Sequence, residues 1–242
     1  MDALGLLRLQ AASWGLSLSP DRLAGLERYA QFLGDYKEAN VIGVREQRGI
    51  ILDHVLDSLS CFLFEPLGVA RRLADVGSGG GLPGVPLKIV EPGLKITLVE
   101  STAKKARFLH RAVEALSLEE VEVINARVEE IAHRNEHRGA YDVVTARAVA
   151  RLSVVAEYCV PLLRVGGSVI SMKGRLDDEE IAEGERAVER LGARVSDLIP
   201  VPRLPALEKR ERCLVILKKI EETPAKYPRN VGVPAKKPLG VV

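Results

Sequence analysis

The sequence predicts an α/β fold in which helices cover a doubly wound, mostly parallel sheet. Short apolar segments alternate with helical segments from residue 72 onward, and this alternation is typical of parallel sheets. The first predicted strand runs directly into a glycine-rich loop, residues 77–84, and the second ends on an acid, Glu100. A glycine loop with an acid about 20 residues beyond it is typical of folds that bind a nucleotide-like cofactor where their strands end.

Composition indicates an ordinary globular protein. The 242 residues are 47% hydrophobic and 28% charged, which suits one domain with appendages. The net charge of +2 is too small to indicate nucleic-acid binding by itself, so any basic surface must be local. Cys61, Cys159 and Cys213 lack metal-ligand spacing, and we expect free thiols in a reducing cytoplasm and no metal site. We also expect no signal peptide and no membrane contact.

Residues 1–65 are predicted to form a helical extension. Ser19 has the residue type and position of an N-cap for the helix that follows it. Asp53 is expected to cap a later helix, which would place His54 and Asp57 three residues apart on one face. Residue type alone favours a surface His–Asp pair there.

Residues 66–220 are predicted to form the sheet domain. The predicted strands are residues 72–76, 95–99, 121–125, 141–146, 166–172, 194–202 and 212–220, the last two forming a hairpin. The predicted helices are residues 84–91, 103–117, 151–163 and 177–191. Gly166 and Gly167 are expected to turn the chain into the fifth strand. Residues 221–242, with prolines at 224, 228, 234 and 238, are predicted to be an extended, partly disordered tail.

The glycine loop permits two interpretations. Gly79, Gly81 and Gly84 match the dinucleotide-binding spacing, which alone is a weak signal. Asp75 favours S-adenosylmethionine instead, because a carboxylate two positions before Gly77 can meet the cationic methionine end of that cofactor, directly or through water. The same carboxylate would repel a pyrophosphate.

Two further strand ends contribute candidate cofactor contacts. Glu100 is expected to accept hydrogen bonds from ribose hydroxyls, with Ser101 and Thr102 beside it. An acid there could instead cap the next helix, but the ribose role is favoured because the loop and the acid occur together. At the end of the third strand, Val128 can pack on an adenine ring and the Glu129 carboxylate can reach its amine. For Glu129, a role as a helix-start acid is compatible with the cofactor role.

Several motifs together resemble the GidB family, bacterial small-subunit ribosomal RNA guanine-N7 methyltransferases. The longest is Asp-Val-Gly-Ser-Gly-Gly-Gly-Leu-Pro-Gly-Val-Pro-Leu at residues 75–87. Shorter matches lie at residues 54–58, 125–129, 146–148, 172–174 and 226–239, in the family order. The resemblance implies a Rossmann-like class I S-adenosylmethionine-dependent methyltransferase fold, with seven strands and an antiparallel last strand. It also implies methylation of guanine N7 in the 530-loop of 16S ribosomal RNA, naked or in a small-subunit precursor.

The resemblance carries family roles onto individual residues. The implied cofactor contacts are Gly77, Leu82, Glu100, Ser101, Thr102, Val128, Glu129 and Arg147. It also makes His54 and Asp57 candidates for the rim of the site, and His54 is included among the catalytic candidates.

Three cations at strand ends complete the catalytic candidates. Arg127, Arg147 and Lys173 end the third, fourth and fifth predicted strands. The Asn/Asp-Pro-Pro-Tyr/Phe motif of enzymes that methylate exocyclic amines is absent after the fourth strand, and guanine N7 needs none because it carries a free lone pair. Arginine and lysine are natural donors to the N7/O6 edge of guanine. A salt bridge at the sheet rim remains the alternative for each arginine.

Basic residues near the C-terminus are candidate RNA contacts. Arg212 precedes Cys213 where family members commonly have Arg-His, so a histidine role is not carried over. The tail cations Lys226, Arg229, Lys236 and Lys237 are predicted to form an RNA-binding arm. Alternatively, the tail folds back as a structural strap through Tyr227 and Leu239.

Two other functions compete with methyl transfer. An NAD-dependent oxidoreductase is disfavoured by Asp75 and by the absence of a Tyr-x-x-x-Lys motif. A non-catalytic RNA-binding assembly factor is disfavoured by the intact glycine loop.

Overall fold

A seven-stranded sheet forms the centre of the molecule. The computed structural model describes residues 1–203 and 211–241. The strands are β1 (Arg72–Val76), β2 (Lys95–Val99), β3 (Val121–Ile124), β4 (Tyr141–Arg147), β5 (Leu163–Lys173), β6 (Ala193–Pro200) and β7 (Cys213–Lys219). Their order is β3-β2-β1-β4-β5-β7-β6. The first five are parallel, and β7 is antiparallel to β5 and β6, which confirms the predicted fold class.

Helices cover both faces of the sheet. They are α1 (Ala3–Ser13), α2 (Pro20–Asp35), α3 (Gln47–Gly49), α4 (Leu56–Leu59), α5 (Gly84–Val90), α6 (Ala103–Ala115), α7 (Val128–Ile131), α8 (Leu152–Cys159), α9 (Asp178–Arg190) and α10 (Val233–Lys236). Alternate residues of each strand point to opposite faces. Leu73 of β1 therefore joins one apolar cluster while Ala74 joins the other.

The N-terminal extension packs on the sheet domain. Leu26 and Leu33 of α2 are buried in the same apolar cluster as Leu73. Tyr29 of α2 is fully buried, and its hydroxyl donates a hydrogen bond to the carbonyl of Gly80 in the glycine loop. The extension thus supports the loop from behind.

Two local predictions were wrong. Asp53 does not cap a helix, because the helical segment begins at Gln47 and Asp53 lies inside a π-helical turn, Ile50–Val55. Gly166 and Gly167 lie within β5 rather than before it. Tyr141 of β4 pairs with Leu163 of β5, whereas Val143 pairs with Ser168. Residues 164–167 of β5 therefore bulge out of the ladder.

The C-terminal tail is docked on the domain rather than disordered. Tyr227 and Leu239 are 8% and 5% exposed and belong to the cluster beneath α8 and α9. The guanidinium of Arg138 donates to the carbonyls of Thr223 and Tyr227, each at 2.8 Å. We call residues 223–240 the C-terminal strap.

Candidate cofactor site and cationic pocket

The loop after β1 forms a cradle of bare backbone. Gly77, Gly79 and Gly81 have φ of +71°, +56° and +87°, which L-residues other than glycine rarely adopt. The N–H groups of Gly77 and Ser78 both donate to the carbonyl of Val99, which fixes the loop against the end of β2. Gly77 is exposed at this edge of the sheet, whereas Gly81 is buried.

Asp75 lies beneath the cradle and does not face its open side. The carboxylate is fully buried and accepts hydrogen bonds from Thr145 Oγ1 at 2.8 Å and from the N–H of Gly84 at 3.1 Å. Burial raises the pKa of Asp75 to about 6, against the lowering effect of these hydrogen bonds. The expected contact with the methionine end of the cofactor is therefore corrected. Asp75 instead ties the start of α5 to β1 and β4.

Glu100 connects the cradle to the end of β2. Its carboxylate is 6% exposed, and it accepts from the N–H of Gly79 at 3.0 Å and from the N–H of Thr102 at 2.7 Å. Each carboxylate oxygen retains further acceptor capacity. Ser101 and Thr102 are exposed beside it. The geometry brings these residues to the cradle and holds the carboxylate in one orientation, as a ribose acceptor requires.

The end of β3 completes this part of the edge. Val128 and Glu129 begin α7 and are 7% and 4% exposed. Glu129 Oε1 accepts a hydrogen bond from the N–H of Gly232 at 2.9 Å. Sequence reasoning missed this contact, since the two residues stand 103 positions apart. Burial, with the charge of Glu129 second, raises the pKa of nearby Tyr158 to about 12.

These residues fit an adenosyl cofactor. The left-handed glycine backbone of the cradle, exposed at Gly77, leaves room where a side chain would stand. A buried, oriented carboxylate follows the end of β2, and an apolar side chain with a second acid follows the end of β3. That series of backbone, acceptor and apolar surface matches the methionine, ribose and base portions of such a ligand. Leu82, 9% exposed, closes the loop from inside.

A buried carboxylate gathers three arginines on the other side of β1. The Asp57 side chain is 4% exposed. Its Oδ1 lies 2.7 Å from Arg203 Nη2 and 3.3 Å from Arg212 Nε, and its Oδ2 lies 3.7 Å from Arg147 Nη1. We call these four residues the Asp57 cluster. Three guanidinium groups on one carboxylate leave an excess of positive charge at this edge. Arg203, which sequence reasoning missed, follows β6, and no motif marked it.

His54 belongs to the support of Arg147. The Arg147 guanidinium donates to the carbonyl oxygen of His54 at 3.1 Å and contacts its Nδ1. Because the guanidinium can only donate, Nδ1 accepts and the proton sits on Nε2. Burial and then the Arg147 charge lower the pKa of His54 to about 4, so the ring is neutral at pH 7. Both contacts place His54 against the Arg147 guanidinium.

A cavity of about 250 Å³ opens beside the Asp57 cluster. Arg147, Lys173 and Arg212 line it together with the backbone of residues 148–150. The ammonium of Lys173 donates to the Ala150 carbonyl at 2.6 Å and to Glu180 Oε1 at 2.8 Å. Lys173 therefore shapes the wall of the cavity while its charge is already paired.

The remaining sequence candidates lie elsewhere. Arg127 is exposed at the start of α7 and is not part of the cavity wall. Lys226, Lys236 and Lys237 are exposed on the C-terminal strap. Arg229 is not a free arm cation, because its Nη2 lies 2.6 Å from Oε2 of fully buried Glu157. The prediction of an extended RNA arm is corrected for this residue.

Residues 1–203 and 211–241 show neither a cluster of metal-ligating side chains nor a membrane-spanning helix. That part of the chain contains no group of three or more His, Cys, Asp or Glu side chains arranged to hold a metal ion. None of its helices is both long and apolar enough to cross a bilayer.

Comparisons with known proteins agree with this geometry. A protein from Rubrobacter xylanophilus named ribosomal RNA small subunit methyltransferase G is 56% identical over 96% of this chain and 89% of its own length. A protein of the same name from a Roseiflexus species is 45% identical over 95% of this chain and 97% of its own length. A crystal structure of an MtNAS mutant with S-adenosylmethionine shares the fold, with a TM-score of 0.53 and 17% identity over 90% of this chain and 78% of that one.

The family assignment covers the cradle, the cavity and most of the sheet. Residues 22–203 match the GidB family, described as rRNA small subunit methyltransferase G. That span includes Gly77, Glu100, Glu129 and Arg147, and it ends at Arg203, the last residue of the Asp57 cluster before β7. The chain belongs to the GidB family of rRNA small subunit methyltransferases.

Proposed function

We propose that this protein is an S-adenosylmethionine-dependent methyltransferase that methylates N7 of a guanine in the 530-loop of 16S ribosomal RNA. One observation carries the proposal. The glycine cradle and the cationic cavity lie at the same edge of the sheet, where the neighbouring strands β1 and β4 end, in a chain of the GidB family. The names of the relatives supply ribosomal RNA as the substrate class.

The cradle and its two flanking acids, Glu100 and Glu129, bind the cofactor. The backbone of Gly77 and Gly79 would hold the methionine portion, Glu100 would accept from the ribose, and Val128 with Glu129 would hold the adenine. When bound, the cofactor supplies a methyl group on a sulfonium, ready for attack by a nucleophile. The Glu100 carboxylate would need no rearrangement to accept from the ribose, because the N–H groups of Gly79 and Thr102 already hold it.

The cationic cavity recognises the guanine base. Guanine N7 attacks with its own lone pair, so the protein need not remove a proton. Arg147 donates to the N7/O6 edge or to a flanking phosphate and thereby orients the base. Asp57 and His54 fix Arg147 from behind. Rate acceleration then comes mainly from proximity and alignment of base and methyl group.

The cations that face outward provide the affinity for RNA. Arg212 has 28% of its side chain exposed at the cavity, and Lys236 and Lys237 stand exposed on the C-terminal strap. Neutralisation of backbone phosphate by these side chains would make binding depend on salt. We propose 16S ribosomal RNA or a small-subunit precursor as the partner and the cytoplasm as the place of action.

Mass mapping of methylated nucleotides tests the proposal. 16S ribosomal RNA and small-subunit particles are each incubated with the protein and S-adenosylmethionine, then digested and mapped. The proposed function predicts one N7-methylguanine in the 530-loop, absent when S-adenosylhomocysteine is in excess. Methylation at an exocyclic amine, at another nucleotide class or not at all in either substrate would contradict it.

A further inference from the structure

The C-terminal strap crosses the molecule directly behind the predicted adenine contact. Arg138 holds its first part through backbone carbonyls, and His133 Nε2 contacts the Pro228 carbonyl at 2.8 Å. Because a carbonyl only accepts, His133 donates from Nε2. At the far end, Arg186 Nε donates to the Gly240 carbonyl at 2.7 Å.

A buried ion pair fixes the middle of the strap. Glu157 of α8 is fully buried, and its Oε1 accepts from the backbone N–H of Arg229 at 2.8 Å and from Arg229 Nε at 2.9 Å. Arg229 Nη2 donates to Glu157 Oε2 at 2.6 Å. Removing one partner of a buried pair leaves an uncompensated charge. This pair therefore strongly favours the docked strap.

The turn after this ion pair reaches Glu129. Residues 230–232 bring the chain into α10 through Gly232, whose φ is +78°. The Gly232 N–H donates to Glu129 Oε1 at 2.9 Å, and the Glu129 residue is only 4% exposed. A backbone N–H that donates to a buried carboxylate fixes the direction of that carboxylate.

We infer that the C-terminal strap is part of the cofactor site: through the Gly232 N–H it positions the Glu129 carboxylate and so sets selectivity for a 6-amino purine. This inference rests on the proposed function, in which Glu129 accepts from the adenine amine. A positioned carboxylate attracts a 6-amino group and repels the oxygen of a 6-oxo purine. A carboxylate released from Gly232 would keep its contact with Tyr158 but lose the N–H that fixes Oε1, and it would discriminate less.

Two truncations separate positioning from general stabilisation. Deleting residues 230–242 removes Gly232 but leaves the Arg229–Glu157 pair. Deleting residues 238–242 removes the Leu239 and Gly240 contacts and leaves Gly232 in place, which makes it the matched control. Dissociation constants for S-adenosylhomocysteine and S-inosylhomocysteine are measured by calorimetry on both truncations and on the full chain.

In the longer truncation, we expect the preference for S-adenosylhomocysteine over S-inosylhomocysteine to fall about tenfold. That factor corresponds to the loss of one charge-assisted hydrogen bond. The shorter truncation should retain the full preference. In a Glu129→Ala background, deletion of residues 230–242 should not change the preference further, because both changes act through one carboxylate.

An unchanged preference in the longer truncation would overturn the inference, as would an equal weakening of both ligands, which indicates a purely structural strap. Should that truncation fail to melt cooperatively, the full-length double variant Glu157→Gln, Arg229→Ala releases the strap without stranding a buried charge and must lower the preference. If the full chain binds neither ligand, the cofactor assignment itself is wrong.

Discussion

The cofactor cradle and the cationic pocket lie side by side, yet they are built in different ways. The cradle is local: Gly77, Gly79 and Gly81 follow β1 directly, and Glu100 follows the neighbouring strand. The Asp57 cluster joins residues from three distant parts of the chain, with 146 positions between Asp57 and Arg203. Backbone conformation makes the first site, whereas long-range charge pairing makes the second.

The two regions should therefore fail differently when altered. Loss of a cradle glycine should affect the loop and the cofactor. Loss of the central carboxylate should release several arginines together and affect RNA. The following substitutions test that difference, from the largest expected effect to the smallest.

Asp57→Asn should be the most damaging single change. It leaves Arg203, 91% buried at the side chain, and its two partner arginines without their shared carboxylate. We expect a loss of about 3–5 kcal/mol in the free energy of unfolding, measured by denaturant titration. RNA methylation should fall while the affinity of the folded variant for S-adenosylhomocysteine is retained.

Asp142→Asn is the matched control for this change. Asp142 pairs with Arg164, whose side chain is 56% exposed, at the opposite edge of the sheet, and its Oδ2 accepts from the N–H groups of Arg71 and Arg72. A surface pair contributes about 1 kcal/mol or less, and the amide oxygen of asparagine can still accept from both N–H groups, so stability and methylation should change much less than in Asp57→Asn. Equal effects of the two substitutions would show that the Asp57 cluster has no special role.

Gly81→Val tests the buried side of the cradle. A Cβ there would lie 2.6 Å from Val85 Cγ2, and the φ of +87° is unfavourable for valine. Strain and overpacking together should cost about 3 kcal/mol in the free energy of unfolding, visible as a lower melting temperature.

Gly79→Val is the comparison within the same loop. A Cβ on Gly79 would meet only the Gly77 carbonyl, at 3.8 Å. The backbone strain remains, but no packing clash is added, so this variant should stay folded by circular dichroism. It should nevertheless lose S-adenosylhomocysteine binding, because the side chain stands in the cradle. Retained affinity would remove this loop from the cofactor site.

Asp75 should give the stability of the cradle a pH dependence. Burial raises its folded-state pKa from 3.8 to about 6. The folded state therefore binds the proton more tightly than the unfolded state, and the stability from this group is lost as the pH rises from about 4 to about 6. The loss should reach up to about 3 kcal/mol.

Asp75→Asn removes this titration while keeping the shape of the side chain. Both chains are measured without cofactor. Between pH 4 and pH 6.5, the free energy of unfolding of the variant should rise relative to that of the native chain. A difference that stays constant over that window would mean that Asp75 is ionised in the folded protein throughout.

The smallest effect is expected from the exposed lysines of the C-terminal strap. Replacing Lys236 and Lys237 by alanine removes two charges and no buried contact. If both contact phosphate, the log–log salt slope of RNA binding should become shallower by about 1.4. The melting temperature should not move. An unchanged slope would show that these lysines do not touch RNA.

The comparison also shows what sequence reasoning can reach. The ends of β1 and β2, at Val76 and Val99, follow from local apolar patterning, and the ends of β3 and β4 were predicted to within one residue. The fold and the neighbours of the cradle could therefore be predicted. Asp75 was placed correctly at the end of the first strand, but the sequence does not show that its carboxylate accepts from the N–H of Gly84 at the start of α5. Because the Asp75 carboxylate is buried, its charge does not exclude a pyrophosphate from the cradle. The choice of S-adenosylmethionine over a dinucleotide rests instead on the family match.

Long-range partners could not be predicted. The contact of Arg229 with Glu157 spans 72 positions, and that of Gly232 with Glu129 spans 103. Neither pair lies in a periodic pattern or a motif that names the partner. The tail was therefore predicted to be a basic arm, with a structural strap through Tyr227 and Leu239 as the alternative. The structure agrees with the strap: Arg229 completes a buried ion pair, and the Gly232 N–H donates to Glu129.

The central claim is that one edge of the sheet holds two separable sites, a cradle for the cofactor and a cavity for the base. The most direct test measures S-adenosylhomocysteine affinity by calorimetry and single-turnover methylation of 16S ribosomal RNA on two variants, Gly79→Val and Arg212→Ala. The account predicts that Gly79→Val loses cofactor affinity and activity together. Arg212→Ala should keep cofactor affinity and require more RNA to reach the same rate. Parallel loss of cofactor affinity in both variants would contradict the separation.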